Sequence, residues 1–276
     1  MAEVNVEEFA AQLGTRPINR PSDEDLARER WLEQRRGKIT CSRFGDLIGK
    51  GRGKSEVFTA TGYSYLRGVI AERLGSTIPS SDNFAMRHGR RYESDAMAEY
   101  GKRPGCGEPI NNPNGFIEFN SLVGGTPDFL VEGELSGVGE IKCPYNPAVH
   151  IETLQGDKVP DKHLWQCHGH MLLTGADYCD FVSFDPRMEG EFRLFVKRLE
   201  RDEKAIEALR SRLALATEYV TKAVDLIVGE RMAAKVVEQF ESLGEYGRKR
   251  FMEAIENGPT GTPSGNGEKV DLDVIA

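Results

Sequence analysis

Gly124-Gly125-Thr126-Pro127-Asp128-Phe129-Leu130-Val131 and, after a short polar hairpin, Val138-Gly139-Glu140-Ile141-Lys142-Cys143-Pro144-Tyr145 are the stretches that decide the fold. Apolar residues on both sides of the hairpin predict two short strands. Side chains alternate faces along a strand, so Glu140 and Lys142 project the same way while Ile141 points into the core. If the strands are neighbours, Asp128 joins the pair. Two carboxylates and an ammonium then converge at one sheet edge, a poor core but a good seat for a divalent cation beside a polarised water. The bland alternative is a surface hairpin with solvated charges. Gly124-Gly125 favours the first reading, because it lets something approach the backbone closely.

Outward from this centre, the chain reads as an α/β domain. Ser22-Asp23-Glu24-Asp25 resembles a capping box opening a helix to about Arg36, ended by Gly37. Ile39 to Cys41 is extended, and Ser42 caps a short helix from Arg43 to Ile48. Phe58 to Leu74 and Phe84 to Tyr100 have helical period, and Lys102 to Pro113 reads as loop. Strands follow at Phe116 to Phe119 and in the two opening stretches. Asp161 caps a helix through Thr174, with Gly175 after it, and strands return at Phe181 to Phe184 and Phe192 to Val196. That order predicts a mixed central sheet flanked by helices. From about Lys197 a helical stripe of Leu209, Leu213, Ala216, Val220, Val224 and Ile227 runs on, with breaks expected at Gly229 and Gly244. The expected divisions are a loose segment 1–21, a main domain 22–200, a helical extension 201–256 and a flexible acidic tail 257–276.

The chain has 276 residues, 39% hydrophobic and 29% charged, which suits a globular domain with an appendage. No apolar run approaches the ~18 residues of a membrane span. The first residues lack the basic and apolar regions of a signal peptide, so a cytoplasmic, membrane-free protein is expected. Five scattered cysteines without a Cys-x-x-Cys fit reduced thiols and speak against a zinc ribbon or an iron–sulfur cluster. A net charge of −8 argues against a polyanionic partner at first sight. Between Arg28 and Lys54, however, nine Lys or Arg stand against three acids, and local patches decide where a polyanion docks.

Three further stretches carry chemistry-bearing residues. Gly49 to Ser55 looks like a P-loop but fails on spacing, since Ile48 stands where the first glycine belongs. Glu93, in Arg87-His88-Gly89-Arg90-Arg91-Tyr92-Glu93, is either an ion-pairing surface residue or a third inward carboxylate. His163, Cys167 and His170 fall at i, i+4, i+7 and could bind zinc, but no fourth ligand is evident. That helix is instead expected beside the sheet edge with polar side chains toward the site.

Together, Trp31 with Arg35 to Ser42, Gly89 to Ala96, Thr126-Pro127-Asp128, Glu140 to Pro144, Gln166 with Met171, and Asp185 to Met188 resemble the YqaJ-like viral recombinase family. This is the phage lambda exonuclease type within the PD-(D/E)XK nuclease superfamily. The resemblance spans roughly Trp31 to Glu200 and implies a restriction-endonuclease-like core. It implies an exonuclease digesting linear double-stranded DNA from 5′-phosphorylated ends, 5′ to 3′, with two Mg2+ ions for which Mn2+ can substitute. Carried over, Asp128, Glu140 and Glu93 hold metal, the carbonyl of Ile141 faces it, and Lys142 activates the attacking water. Arg35 and Ser42 match positions that grip the 5′-phosphate, with Thr126 nearby. Gln166 matches one of two family glutamines; His168 occupies the place of the second, as a DNA-contacting residue. The resemblance also implies a homo-oligomer, a ring-shaped trimer, and a single-strand annealing protein as partner, in the cytoplasm of a bacterial host if phage-encoded. Two alternatives are a non-catalytic DNA-end-binding scaffold and an endonuclease on the same core. The C-terminal helices and tail lie beyond the resemblance.

Overall fold

The structure, a computed structural model, describes residues 22–53, 56–77, 83–112, 115–133, 135–245, 247–250 and 252. The expected loose start, the acidic tail, Lys54-Ser55 of the basic loop and 78–82 of the loop before Phe84 lie outside them.

Helix α1 (Asp23–Arg35) opens on the expected capping box: Asp25 N–H donates to Ser22 Oγ at 3.1 Å, and the Asp25 carboxylate accepts from Ser22 N–H at 3.0 Å. Gly37 then adopts φ +66°, where a side chain would be strained, and turns the chain into β1 (Ile39–Thr40). A 3-10 turn (Cys41–Arg43) and a short helix α2 (Gly45–Ile48) follow, where one short helix was expected. Helices α3 (Ala60–Arg73) and α4 (Phe84–Gly101) start at Thr59 and Asn83, whose side chains accept from Gly62 N–H and Met86 N–H.

The strands make two sheets. β1, β4 (Val123–Gly125) and β3 (Ile117–Asn120) form a small one in the order β1-β4-β3, with β1 parallel to β4. The larger one has the order β2-β5-β6-β7-β8. Its strands are β2 (Pro109–Asn111), β5 (Phe129–Val131), β6 (Gly137–Lys142), β7 (Tyr178–Phe184) and β8 (Leu194–Glu200). β6 and β7 are parallel and every other neighbouring pair is antiparallel, so the sheet is mixed as expected. The first opening stretch is thus split between two sheets at Thr126-Pro127.

Two elements escaped the sequence reading. β2 lies inside the expected loop 102–113; it is a three-residue edge strand opened by a proline, and an edge tolerates the missing N–H. Helix α5 (Pro147–Gly156) had no counterpart, although Asn146 caps it and Pro147 occupies its first turn. Helix α6 (Asp161–Thr174) ends as expected on Gly175.

β7 is buried along all seven residues, and with β5, β6 and α4 it builds the core of Ala96, Tyr100, Phe129, Val131, Ile141, Cys143, Tyr178, Val182 and Phe184. By transfer free energies, each of the large side chains contributes roughly 1.5–3 kcal/mol. Helix α7 (Glu203–Ser242) runs unbroken through Gly229, contrary to expectation, because its neighbours are good helix formers. The chain divides into two compact units, Met1–Lys222 and Ala223–Ala276. In the first, Ile206, Leu209, Leu213, Ala216 and Val220 of α7 are buried. In the second, Leu226, Met232 and Val237 are exposed. No helix among the described residues is long and apolar enough to cross a membrane.

Candidate active site

The site is built on adjacent strands. Asp128 leads into β5, and its N–H donates to the Gly139 carbonyl on β6 at 3.0 Å. Its carboxylate accepts from the Ile141 N–H at 2.6 Å. One residue on from Gly139, Glu140 is 1% exposed and faces away from the Ile141 core side. One of its oxygens pairs with the Lys142 ammonium. The other meets Nε2 of His170, on α6, at 2.7 Å. Lys142 shares the Glu140 face by strand alternation and is 36% exposed, so the cluster opens to solvent on its side.

The electrostatics are those of a crowded anionic site. Burial and then the Glu140 charge push Asp128 well above the ordinary carboxylate range; Lys142 only partly offsets them. Burial would also raise Glu140, but the Lys142 charge and the His170 hydrogen bond outweigh it and hold Glu140 ionised. Burial would lower Lys142, yet Glu140, Asp128 and Glu93 keep it firmly protonated. Glu93, on α4, is raised by burial and then by Glu140, against the pull of Lys142. Glu93 is half-buried, within electrostatic reach of Lys142, Glu140 and Arg90.

Among the described residues, no three His, Cys, Asp or Glu side chains are gathered tightly enough to hold an ion as they stand. The donor chemistry still fits one. Asp128, Glu140 and Glu93 share the field of the Lys142 ammonium, and their mutual repulsion adds to burial in raising Asp128 and Glu93. Hard oxygen donors carrying excess negative charge suit a divalent cation.

The remaining expected residues divide into two groups. Arg35 stacks on the Trp31 ring at 4.2 Å, and Trp31 Nε1 donates to Thr126 Oγ1 at 3.1 Å, two residues before Asp128. Burial lowers the Arg35 pKa, and the negative charge of Glu140 is among the influences opposing it. Ser42 is exposed just beyond β1; its hydroxyl lies 3.3 Å from that of Thr40, which pairs in register with Gly124 on β4. Arg35 and Thr126 thus share Trp31, and Ser42 follows the strand that pairs with β4.

On α6, Gln166 is half-buried. His168 is 5% exposed, its ring 5.4 Å from Trp165, with the charge of Asp202 nearby. The seat beside Glu140 belongs to His170, which the sequence reading left out of the site. Gln166 and His170 are one helical turn apart on a common face, whereas His168 is rotated about 200° from either. The zinc set dissolves as well: His163 stacks on Phe181 at 5.4 Å, and Cys167 is buried beside Cys179.

A mixed sheet that brings an aspartate and a Glu-x-Lys pair together on neighbouring strands defines a restriction-endonuclease-like core. The chain belongs to the YqaJ-like viral recombinase domain family, which matches residues 30–177. It is similar to an alkaline exonuclease from Laribacter hongkongensis, 32% identical, covering 75% of this chain and 99% of that one with a TM-score of 0.64. That enzyme has also been solved in complex with dAMP. A phage related exonuclease from Haemophilus somnus 129PT, 20% identical over 69% of this chain and 96% of that one, shares the fold with a TM-score of 0.58. A curated relative, the uncharacterized protein R354 of Acanthamoeba polyphaga mimivirus, is 24% identical over 176 residues. That match takes in 59% of this chain, but only 29% of the relative's length.

Proposed function

We propose that this chain is a deoxyribonuclease, an exonuclease that hydrolyses linear duplex DNA from 5′-phosphorylated ends with Mg2+. The observation that carries it is the Asp128–Glu140–Lys142 cluster, with Lys142 part-exposed and with Arg35 over Trp31, which is bonded to Thr126 two residues before Asp128. The names of the similar solved structures, an alkaline exonuclease and a phage related exonuclease, support it.

Asp128, Glu140 and Glu93 would hold the cation, two ions in the full form and Mn2+ as a substitute, with the Ile141 carbonyl as a further oxygen. A divalent cation there supplies positive charge to the scissile phosphate and acidifies the attacking water. Lys142 offers a donor and a positive charge beside the nucleophile. His170 fixes the Glu140 carboxylate through one oxygen and leaves the other to the reacting side. Arg35, over the Trp31 ring, would present its guanidinium to a terminal phosphate, with the Ser42 and Thr126 hydroxyls as further donors. Gln166 on the His170 face would steady the scissile strand.

Residues 22–200 would form the nuclease domain, 201–256 a helical extension and 257–276 a tail. A homo-oligomer, a trimer by family, and an annealing protein that coats the product strand complete the proposal. Arg35→Ala tests the end pocket. It should slow cleavage of 5′-phosphorylated duplex by at least about tenfold while sparing 5′-hydroxyl duplex, as expected for loss of a charge-assisted contact of ~1.5–3 kcal/mol. Equal losses on both ends would contradict the pocket.

A further inference from the structure

Tyr145 stands three residues beyond Lys142 and is 53% exposed. Three extended residues span at most about 10 Å, so Tyr145 starts within that distance of Lys142 along the chain. The ring is held in place. His88 meets it edge-on, with centroids 5.5 Å apart and planes at 84°, and itself packs edge-on against Tyr92 at 4.8 Å. The turn beneath the ring is tied down as well. Arg187 donates to the Pro144 carbonyl at 3.2 Å and to both oxygens of the buried Asp185 at 2.7 Å each. His88 Nε2 is buried without a hydrogen-bond partner among the described residues, an unmet polar atom beside an open aromatic surface. An exposed tyrosine adds little to stability, yet here His88 packs against the ring and Arg187 ties down the residue before it. Two arginines lie nearby: Arg187, 44% exposed and paired with Asp185, and Arg91, over the Tyr92 ring at 5.5 Å.

We propose that Tyr145 is the stacking platform for the nucleobase flanking the scissile phosphate, braced by His88 and by the Arg187 clamp on Pro144. The inference rests on the nuclease reading above. Every base has a π-face, so such a platform grips the cut strand whatever its sequence, as an exonuclease that advances along DNA requires.

The test uses 5′-phosphorylated linear duplexes carrying either a normal base or an abasic tetrahydrofuran residue next to the first scissile phosphate. Wild-type, Tyr145→Ala and Tyr145→Phe proteins are compared. Loss of one stacked base implies roughly a tenfold rise in KM for Tyr145→Ala on the normal duplex, with kcat and melting temperature unchanged. Tyr145→Phe retains the wild-type KM. On the abasic duplex the wild type shows the same tenfold rise, and Tyr145→Ala adds nothing to it. A Tyr145→Ala defect of equal size on both duplexes, or none on either, overturns the platform and leaves the nuclease standing. A wild type that cuts neither duplex removes both.

Discussion

Two buried acidic clusters sit on neighbouring strands of the large sheet, and they are built in opposite ways. On β7, Asp180 is 1% exposed and fully matched. Arg198 donates to both its oxygens, at 2.9 and 2.8 Å, and the Tyr100 hydroxyl donates at 2.7 Å. Arg198 also lies over the Tyr178 ring at 3.6 Å. On β6 and the start of β5, Glu140 and Asp128 are less fully matched: one ammonium, one imidazole and the Ile141 N–H serve them, and Glu93 adds a further acid. The first arrangement is what a fold does with a charge it needs for structure. The second holds unbalanced charge in a site open to solvent, a cost that catalysis can justify and packing cannot.

The sharpest break in the comparison is to remove one member from each cluster. Lys142→Ala or Asp128→Asn should lower cleavage by about 10³-fold or more while circular dichroism shows a folded protein, since water activation and phosphate neutralisation are lost together. Asp180→Asn should do the reverse. It strips a buried carboxylate from Arg198 and should destabilise by ~3 kcal/mol, the lower end for a buried pair because Arg198 keeps 36% of its side chain exposed. Activity per folded molecule should be unchanged, and denaturant unfolding paired with active-site titration checks both halves.

A smaller effect sharpens the contrast within the active cluster. His170→Ala leaves Glu140 without the donor that orients it, so half-maximal activity should need about tenfold more Mg2+, as is typical when a ligand's supporting residue is removed. A metal titration of the initial rate decides it.

The smallest effect is one of stability. Asp128 is pushed up to about 8, so between the ordinary aspartate range and that value the folded, metal-free protein binds a proton that the unfolded chain does not. Its contribution is therefore complete at low pH and is lost as pH rises through about 8. The wild type should lose more melting temperature between pH 6 and 8.5 than Asp128→Asn does. At pH 8.5 without metal, the variant should be the more stable by about 1–2 kcal/mol. Thermal melts at both pH values in EDTA test the sign.

The same contrast shows what could be read from residues alone. Asp128, Glu140 and Lys142 were legible because a strand has period two, so two positions apart means one face, and because apolar neighbours marked both strands. The framework of helices around them was legible in part from their ends: Ser22 and Gly175 each act where their chemistry predicts. β2 was hidden because three residues at a sheet edge carry no period, and α5 because its Asn146-Pro147 start went unused. His170 was missed for another reason. Its partner lies thirty residues away on a strand, and only the packing of α6 on the sheet brings Nε2 to Glu140. The one clue was its helical spacing from Gln166. His88 and Tyr145 meet only through tertiary contact and left no trace in local pattern.

The most direct test is a cleavage assay on end-labelled linear duplex and closed circular DNA, with Mg2+ or EDTA, for wild-type and Lys142→Ala proteins. Wild-type protein with Mg2+ should release nucleotides from the linear duplex and spare the circle, and both EDTA and Lys142→Ala should abolish release. Linear duplex left intact by the wild type with Mg2+, or cut at the wild-type rate by Lys142→Ala, would contradict the role given to the Asp128–Glu140–Lys142 cluster.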